Sequence, residues 1–262
     1  MYPIIFEIGS FSLRSYGLMA ALGFLSAVWM LNLNRDYAKM NFDQVSGLAF
    51  GVIIGGILGA RLFYVVQFWN DKYSRDWSAI LRIDQGGLVY YGGFFMAMVV
   101  ISWYCRKHKL NLLRVMDISA PGLVLGHAFG RIGCFLNGCC FGRPGGGVCG
   151  VVHPVGSEAF YKYGDIPIHP VQLYEAGMNL LLFPLLFWLV RKTGTGIATA
   201  AYLISYGLVR FIDEFFRGDH SSAFLFGMTR AQVIGLLIVP AGIVLLIYSI
   251  RQQKNEQTDS DC

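Results

Sequence analysis

The stretch GHAFGRIGCFLNGCC, residues 126–140, puts a histidine, an arginine, an asparagine and three cysteines at the end of a long apolar run. A second stretch, RFIDEFFR, spaces Arg210, Asp213, Glu214 and Arg217 at i, i+3, i+4 and i+7. On a helix that spacing makes one charged face. A third arginine, Arg61, interrupts the apolar segment GVIIGGILGARLFYVV. Ionisable groups inside apolar spans are costly and tend to mark function. Guanidinium matches a phosphate better than an ammonium does, through its planar fork of donors. These residue types therefore suggest a pocket for an anionic, phosphate-bearing lipid.

The cysteines suggest other chemistry. Six occur, at 105, 134, 139, 140, 149 and 262. Their spacing matches no CxxC pair and no zinc ribbon, so no metal site is expected. Cys134 is expected to pack as a small buried residue, and His127 to face lipid or a neighbouring helix. In an oxidising compartment Cys139 or Cys140 would be able to bridge to Cys149, whereas the adjacent pair cannot bridge without strain. A redox membrane enzyme using these thiols is one rival reading.

The elements that position these residues follow from hydropathy. Of 262 residues, 55% are hydrophobic and 14% charged, against roughly 25% charged in soluble domains. Mean hydropathy is +0.51. Apolar runs of bilayer-spanning length fall near 15–34, 46–68, 88–104, 116–138, 171–190, 196–217 and 229–250. The expected fold is an all-α integral membrane protein of about seven transmembrane helices. Residues 1–250 form one transmembrane domain, with an extracytoplasmic head over 139–170, between spans four and five, and a disordered polar tail at 251–262. The start MYPIIFEIGSFSLRSYG lacks the basic region of a cleavable signal peptide. The net charge of +5 suggests no nucleic-acid partner and fits anionic headgroups. Frequent glycines in the spans allow close helix packing.

Two acid-free basic segments, CRKHKLNLLR and RKTGTG, belong in the cytoplasm by the positive-inside rule. The N-terminus is then outside and the C-terminus inside. The loop with Lys72, Arg75 and Arg82 is balanced by Asp71, Asp76 and Asp84. At about 1.5 Å per residue, Arg131, Arg210 and Arg61 each fall roughly 21 Å from the inner surface. They are expected to converge in the outer half of the bilayer, with Tyr16, Tyr90, Tyr91 and the segment HPVQLYE opening inward-running spans beside them. Plainer roles stand alongside: Arg210 and Glu214 as a pair locking two helices, Arg61 paired with a neighbouring acid, and Arg217 and Glu175 snorkelling to water. Asp117 is expected to pair with Arg114.

Taken in order, YGLM, GARLFYV, GLVYYGG, GHAFGRIGCFLNG, HPVQLYE and YGLVRFIDEFFR resemble the prolipoprotein diacylglyceryl transferase family over nearly the whole chain. The resemblance implies a seven-span bacterial inner-membrane enzyme. It would move the diacylglyceryl group of phosphatidylglycerol to the lipobox cysteine of a prolipoprotein, forming a thioether and releasing glycerol-1-phosphate. No metal or nucleotide cofactor is implied, and the chain is expected to act as a monomer. By position, Arg131 and Asn137 match the family's central glycine–arginine motif. Arg210 and Glu214 match its sixth-span arginine and glutamate, Tyr16 a functional first-span tyrosine, and Glu175 the acid closing HP-x-QLYE. The chain departs from the family in two places. Tyr91-Gly92-Gly93 stands where many members have His-Gly-Gly, and Cys134 and Cys139 stand where many have Asn and Glu.

On this reading Arg131 and Arg210 stabilise the charge growing on the phosphate. Glu214 orients Arg210, Asn137 donates to the phosphate or glycerol, and Tyr16 and Tyr91 bond the headgroup or relay the thiol proton. Catalytic roles are thus expected for Arg131, Arg210, Tyr91 and Glu214, and lipid binding for Arg131, Asn137, Arg210, Tyr16, Arg61 and Glu175. The proton acceptor stays open. A transporter of anionic lipid is the second rival, and it would need polar groups in the inner half of the spans.

Overall fold

The computed structural model describes residues 1–8, 11–74, 76–82, 86–219 and 224–260; Arg75, Asp84 and Cys262 lie outside them. Among the described residues there are seven long helices: α1 (Ser15–Leu33), α2 (Phe42–Gln67), α3 (Tyr90–Lys107), α4 (Leu112–Asn137), α6 (Val171–Lys192), α7 (Ile197–Asp213) and α8 (Arg230–Ser260). A short helix, α5 (Glu158–Tyr163), lies between α4 and α6. Five helices, α1, α2, α4, α6 and Arg230–Asn255 of α8, are long and apolar enough to cross a membrane. The protein is a helical, multi-pass membrane protein.

Capping explains where the helices start. Asn41 and Gln44 form a reciprocal capping box, so α2 begins four residues before its apolar run. The Asn111 side chain accepts from Arg114 N at 3.2 Å and starts α4 equally early. Thr229 and Gln232 cap α8 in the same manner.

Three features differ from the expectation. The first residues are not helical: β1 (Ile4–Ile8) pairs antiparallel with β2 (Phe11–Arg14), as suits β-branched and aromatic residues. α7 stops at Asp213 instead of running to Arg217. There the chain turns away to pair with the 139–170 segment, Arg143 N donating to Phe216 O (2.9 Å) and Gly218 N to Phe141 O (3.0 Å). Residues 251–260 of the tail are helical, α8 continuing through RQQKNEQTDS to Ser260, a stretch whose Arg, Gln, Lys and Glu are good helix formers.

The chain forms two compact units, Arg35–Val115 and the remainder. In the first, α2 packs on α3. A small cluster of Val65, Tyr73 and Ala79 sits under the loop that follows α2. In the second, α4, α6 and α7 share a core of Ala120, Val124 and Leu186 with Phe183 and Ala201, and α8 packs on α7. Asp117 does a second job in that core. Its carboxylate accepts from Gly196 N (2.6 Å), Thr199 N (2.8 Å) and Thr199 Oγ1 (2.6 Å), so a residue of α4 caps α7. The 139–170 segment folds on Phe141, Ala159 and Ile168, with Val151 and Ile168 exchanging both backbone hydrogen bonds.

Candidate active site

Beyond the shared core, α4, α6 and α7 turn polar at neighbouring positions. α4 contributes His127 and Arg131, one turn apart on the same face. α6 contributes Glu175 from its first turns, and α7 ends with Arg210 and Asp213. Close approach of the backbones makes this possible. A Cβ on Gly23 of α1 would lie 3.0 Å from the Gly126 carbonyl, and one on Gly235 of α8 would lie 2.9 Å from the Gly207 carbonyl. Small residues thus let α1 and α8 press against the helices that carry the charges.

Glu175 is the centre of the arrangement. Its side chain is 1% exposed; Oε1 lies 2.9 Å from His127 Nε2 and Oε2 lies 2.8 Å from Arg131 Nε. Arg131 Nε also lies 3.3 Å from His127 Nε2. The imidazole packs 5.7 Å from the Tyr206 ring of α7. Asp213 is equally buried, and both carboxylates feel Arg131 and Arg210. Arg210 in turn holds Glu214 Oε2 at 2.8 Å and Asp213 Oδ2 at 3.4 Å. Arg131 and Arg210 are thus each paired with buried acids, Arg131 with Glu175 and Arg210 with Asp213 and Glu214. A buried charge needs such pairing, since its desolvation cost is not otherwise offset.

Two plainer expectations are corrected here. Glu175 does not snorkel to water; its helix points it between α4 and α7. Arg217 is also enclosed, donating from Nε to Asp219 Oδ1 at 3.0 Å and lying 3.9 Å from Glu214. Because α7 has already ended, Arg217 reaches its partner through the turn that pairs with residues 141–143 and not along a helix face.

Of the remaining residues, Tyr16 opens α1 beside α4, where a Cβ on Gly133 would meet its ring at 3.4 Å. Asn137 is the last residue of α4 and is half-buried. Tyr91, in the first turn of α3, is exposed, with its ring edge-on to Tyr90. Arg61 differs most from expectation. All five of its N–H groups point at backbone carbonyls: Nε to Ile80, Nη1 to Gly86 and Gly87, and Nη2 to Ala79 and Arg82, at 2.7–3.0 Å. Its guanidinium also lies 5.6 Å from the Tyr73 ring. Saturated in this way, it ties down the carbonyls of Ala79, Ile80, Arg82, Gly86 and Gly87 and keeps no donor for a phosphate.

Cys105, Cys134, Cys139, Cys140 and Cys149 are all free thiols. The Cys149 bridge is therefore absent among the described residues. Cys134 is not simply packed away but sits half-buried against Cys139 and Cys140.

Sequence reasoning had His127 facing lipid or a neighbouring helix, without grouping it with Glu175 and Arg131, and did not group Asp213 with them either. The available signal was spacing, since His127 precedes Arg131 by four residues and so shares its face.

The family model for prolipoprotein diacylglyceryl transferase matches residues 3–248. The chain belongs to that family. Similar proteins include the phosphatidylglycerol–prolipoprotein diacylglyceryl transferases of Pseudoalteromonas translucida, 36% identical over 95% of this chain and 93% of the relative, and Clostridium tetani, 34% identical over 93% and 96%. That of Pseudoalteromonas atlantica is 33% identical over 98% of this chain and 92% of the relative. Within a diacylglyceryl transferase, the network has a clear chemical capacity. Arg131 and Arg210 are held by Glu175, Asp213 and Glu214, which fixes two guanidinium groups in a buried setting.

Proposed function

We propose that this chain transfers the diacylglyceryl group of phosphatidylglycerol to the lipobox cysteine thiol of a prolipoprotein, the first step of lipoprotein maturation. The observation that carries the reading is the pair of buried arginines, Arg131 held with His127 on Glu175 and Arg210 held on Asp213 and Glu214. The substrate thiolate attacks the glycerol carbon that bears the phosphate. A C–S bond forms, the C–O bond breaks, and its electron pair leaves with glycerol-1-phosphate. Arg131 and Arg210 receive the phosphate and stabilise the charge that develops on it. Glu214 and Asp213 fix Arg210, and Glu175 fixes Arg131.

His127 takes the thiol proton in this reading. With Nε2 turned to Glu175 (2.9 Å), the carboxylate sets the ring and supports the imidazolium formed on proton uptake. An imidazole beside the clamp supplies what the exposed Tyr91 phenol does not, a nitrogen base next to a buried carboxylate. Tyr16 and Asn137 line the approach to Arg131 and bond the glycerol and headgroup oxygens. Arg61 acts by shaping its loop.

The chain spans the bacterial inner membrane seven times, through α1, α2, α3, α4, α6, α7 and α8. The basic segments 105–114 and 191–196 face the cytoplasm, the 139–170 head and the N-terminus lie outside, and α8 ends inside. The enzyme works as a monomer on phosphatidylglycerol and prolipoprotein signal peptides, with no nucleic acid.

The test is mass spectrometry of a lipobox peptide incubated with the purified protein in phosphatidylglycerol vesicles. A gain of one diacylglyceryl unit on cysteine, absent from a serine peptide, is expected. Unmodified peptide accompanied by lipid movement across the bilayer would overturn the reading in favour of a lipid transporter.

A further inference from the structure

The sulfurs of Cys134, Cys139 and Cys140 all lie within 4.8 Å of one another and are half-buried at the end of α4. Their linear spacing fits no metal motif, and the fold supplies what the spacing lacks. Gly138 (φ 76°) and Cys140 (φ 60°) both take left-handed backbone, turning the chain back on the last turn of α4. Cys139 N then donates to Cys134 O at 3.1 Å. The Gln172 side chain of α6 pins the turn by donating to Cys139 O at 2.8 Å. Three thiols are thereby gathered on one spot by backbone geometry.

We propose that Cys134, Cys139 and Cys140 form a three-thiolate site for a soft, closed-shell cation of the Cu(I)/Zn(II) class. Thiolate ligands select such cations over hard ones. Three sulfurs at about 2.3 Å from an ion stand about 4 Å apart, close to the spacing already present. Charge supports the same conclusion. Three thiolates around a divalent ion carry a net −1, and around a monovalent ion −2, so the occupied site is an anion. Arg131 and Arg217 both lie within electrostatic reach of Cys140, where they stabilise that anion. Binding releases the thiol protons. The bound ion would fasten the end of α4 to the first residues of the head, beside Arg131 and apart from the reaction itself.

The test uses full-length protein in detergent, reduced, chelator-stripped and kept anaerobic, then titrated with cadmium as an optical probe of thiolate ligation. Zinc and cuprous ion serve as competitors. One equivalent is expected to bind with a sulfur-to-cadmium charge-transfer band that both competitors abolish. Cys134→Ser, Cys139→Ser and Cys140→Ser are each expected to weaken binding by more than about 100-fold, beyond the cost of losing an outer-shell partner. Cys149→Ser is expected to leave it intact. Absence of saturable binding in the unsubstituted protein, or binding indifferent to the three substitutions, would overturn the proposal. So would a disulfide within the cluster in protein taken directly from membranes.

Discussion

Oε2 of Glu175 lies 2.8 Å from Nε of Arg131, on a side chain that is 1% exposed. Removing either partner strands the other in a buried setting, at a cost of about 3–5 kcal/mol. Glu175→Ala and Arg131→Ala are each expected to lower the unfolding temperature in detergent. The double variant is expected to lose less than the sum of the two, because neither charge is then left unpaired. Strict additivity would show that the two residues do not stabilise one another.

Arg61 makes a separate prediction. Its five donors meet five carbonyls between residues 79 and 87, which a lysine with three donors cannot reproduce. Arg61→Lys is expected to lose about 1.5–3 kcal/mol for each charged hydrogen bond left unmade. Faster proteolytic nicking within residues 79–87 would report it; an unchanged nicking rate would contradict the role.

The contrast between Arg61 and Arg131 shows what sequence can and cannot carry. Hydropathy located the long helices to within a few residues except at the end of α8, which runs ten residues past its apolar segment to Ser260, because a bilayer-length apolar run has few alternatives. Depth counting also put Arg131 and Arg210 at matching levels, and in the structure each is paired with a buried acid, Glu175 and Asp213 respectively. Depth does not reveal rotation about the helix or what a loop folds over. Arg61 counts to the same depth, yet its guanidinium is filled by a loop whose backbone carbonyls no side-chain pattern announces. The same blindness applied to Asp117, which caps a helix 79 residues away in sequence, and to the thiol cluster, assembled by two left-handed residues.

Asp117 is open to direct measurement. Asp117→Ala removes the three bonds that start α7, and loss of a cap of this kind costs about 1–2 kcal/mol. Lower thermal stability with faster amide exchange in the first turn of α7 is expected. Exchange unchanged there would contradict the capping role.

The head carries a pH dependence. His153 is 3% exposed, and burial, reinforced by the N-terminal ammonium, pushes its imidazole below the ordinary value of 6.5. The unfolded state therefore binds the proton more tightly than the folded state. The contribution to stability is complete above pH 6.5 and is lost as pH falls through that value toward the depressed folded pKa. Thermal unfolding is expected to show a stability loss from pH 7 to pH 5 that His153→Phe reduces. An identical pH profile in the variant would contradict it.

The central claim is that Arg131 and Arg210 together hold the phosphate during transfer. The most direct measurement is the rate of diacylglyceryl transfer to a lipobox peptide by Arg131→Ala and Arg210→Ala, each confirmed as membrane-inserted. Losing a preorganised donor to a developing anion costs about 100- to 1,000-fold in rate, so at least that loss is predicted for each. Full activity in either inserted variant would contradict the account.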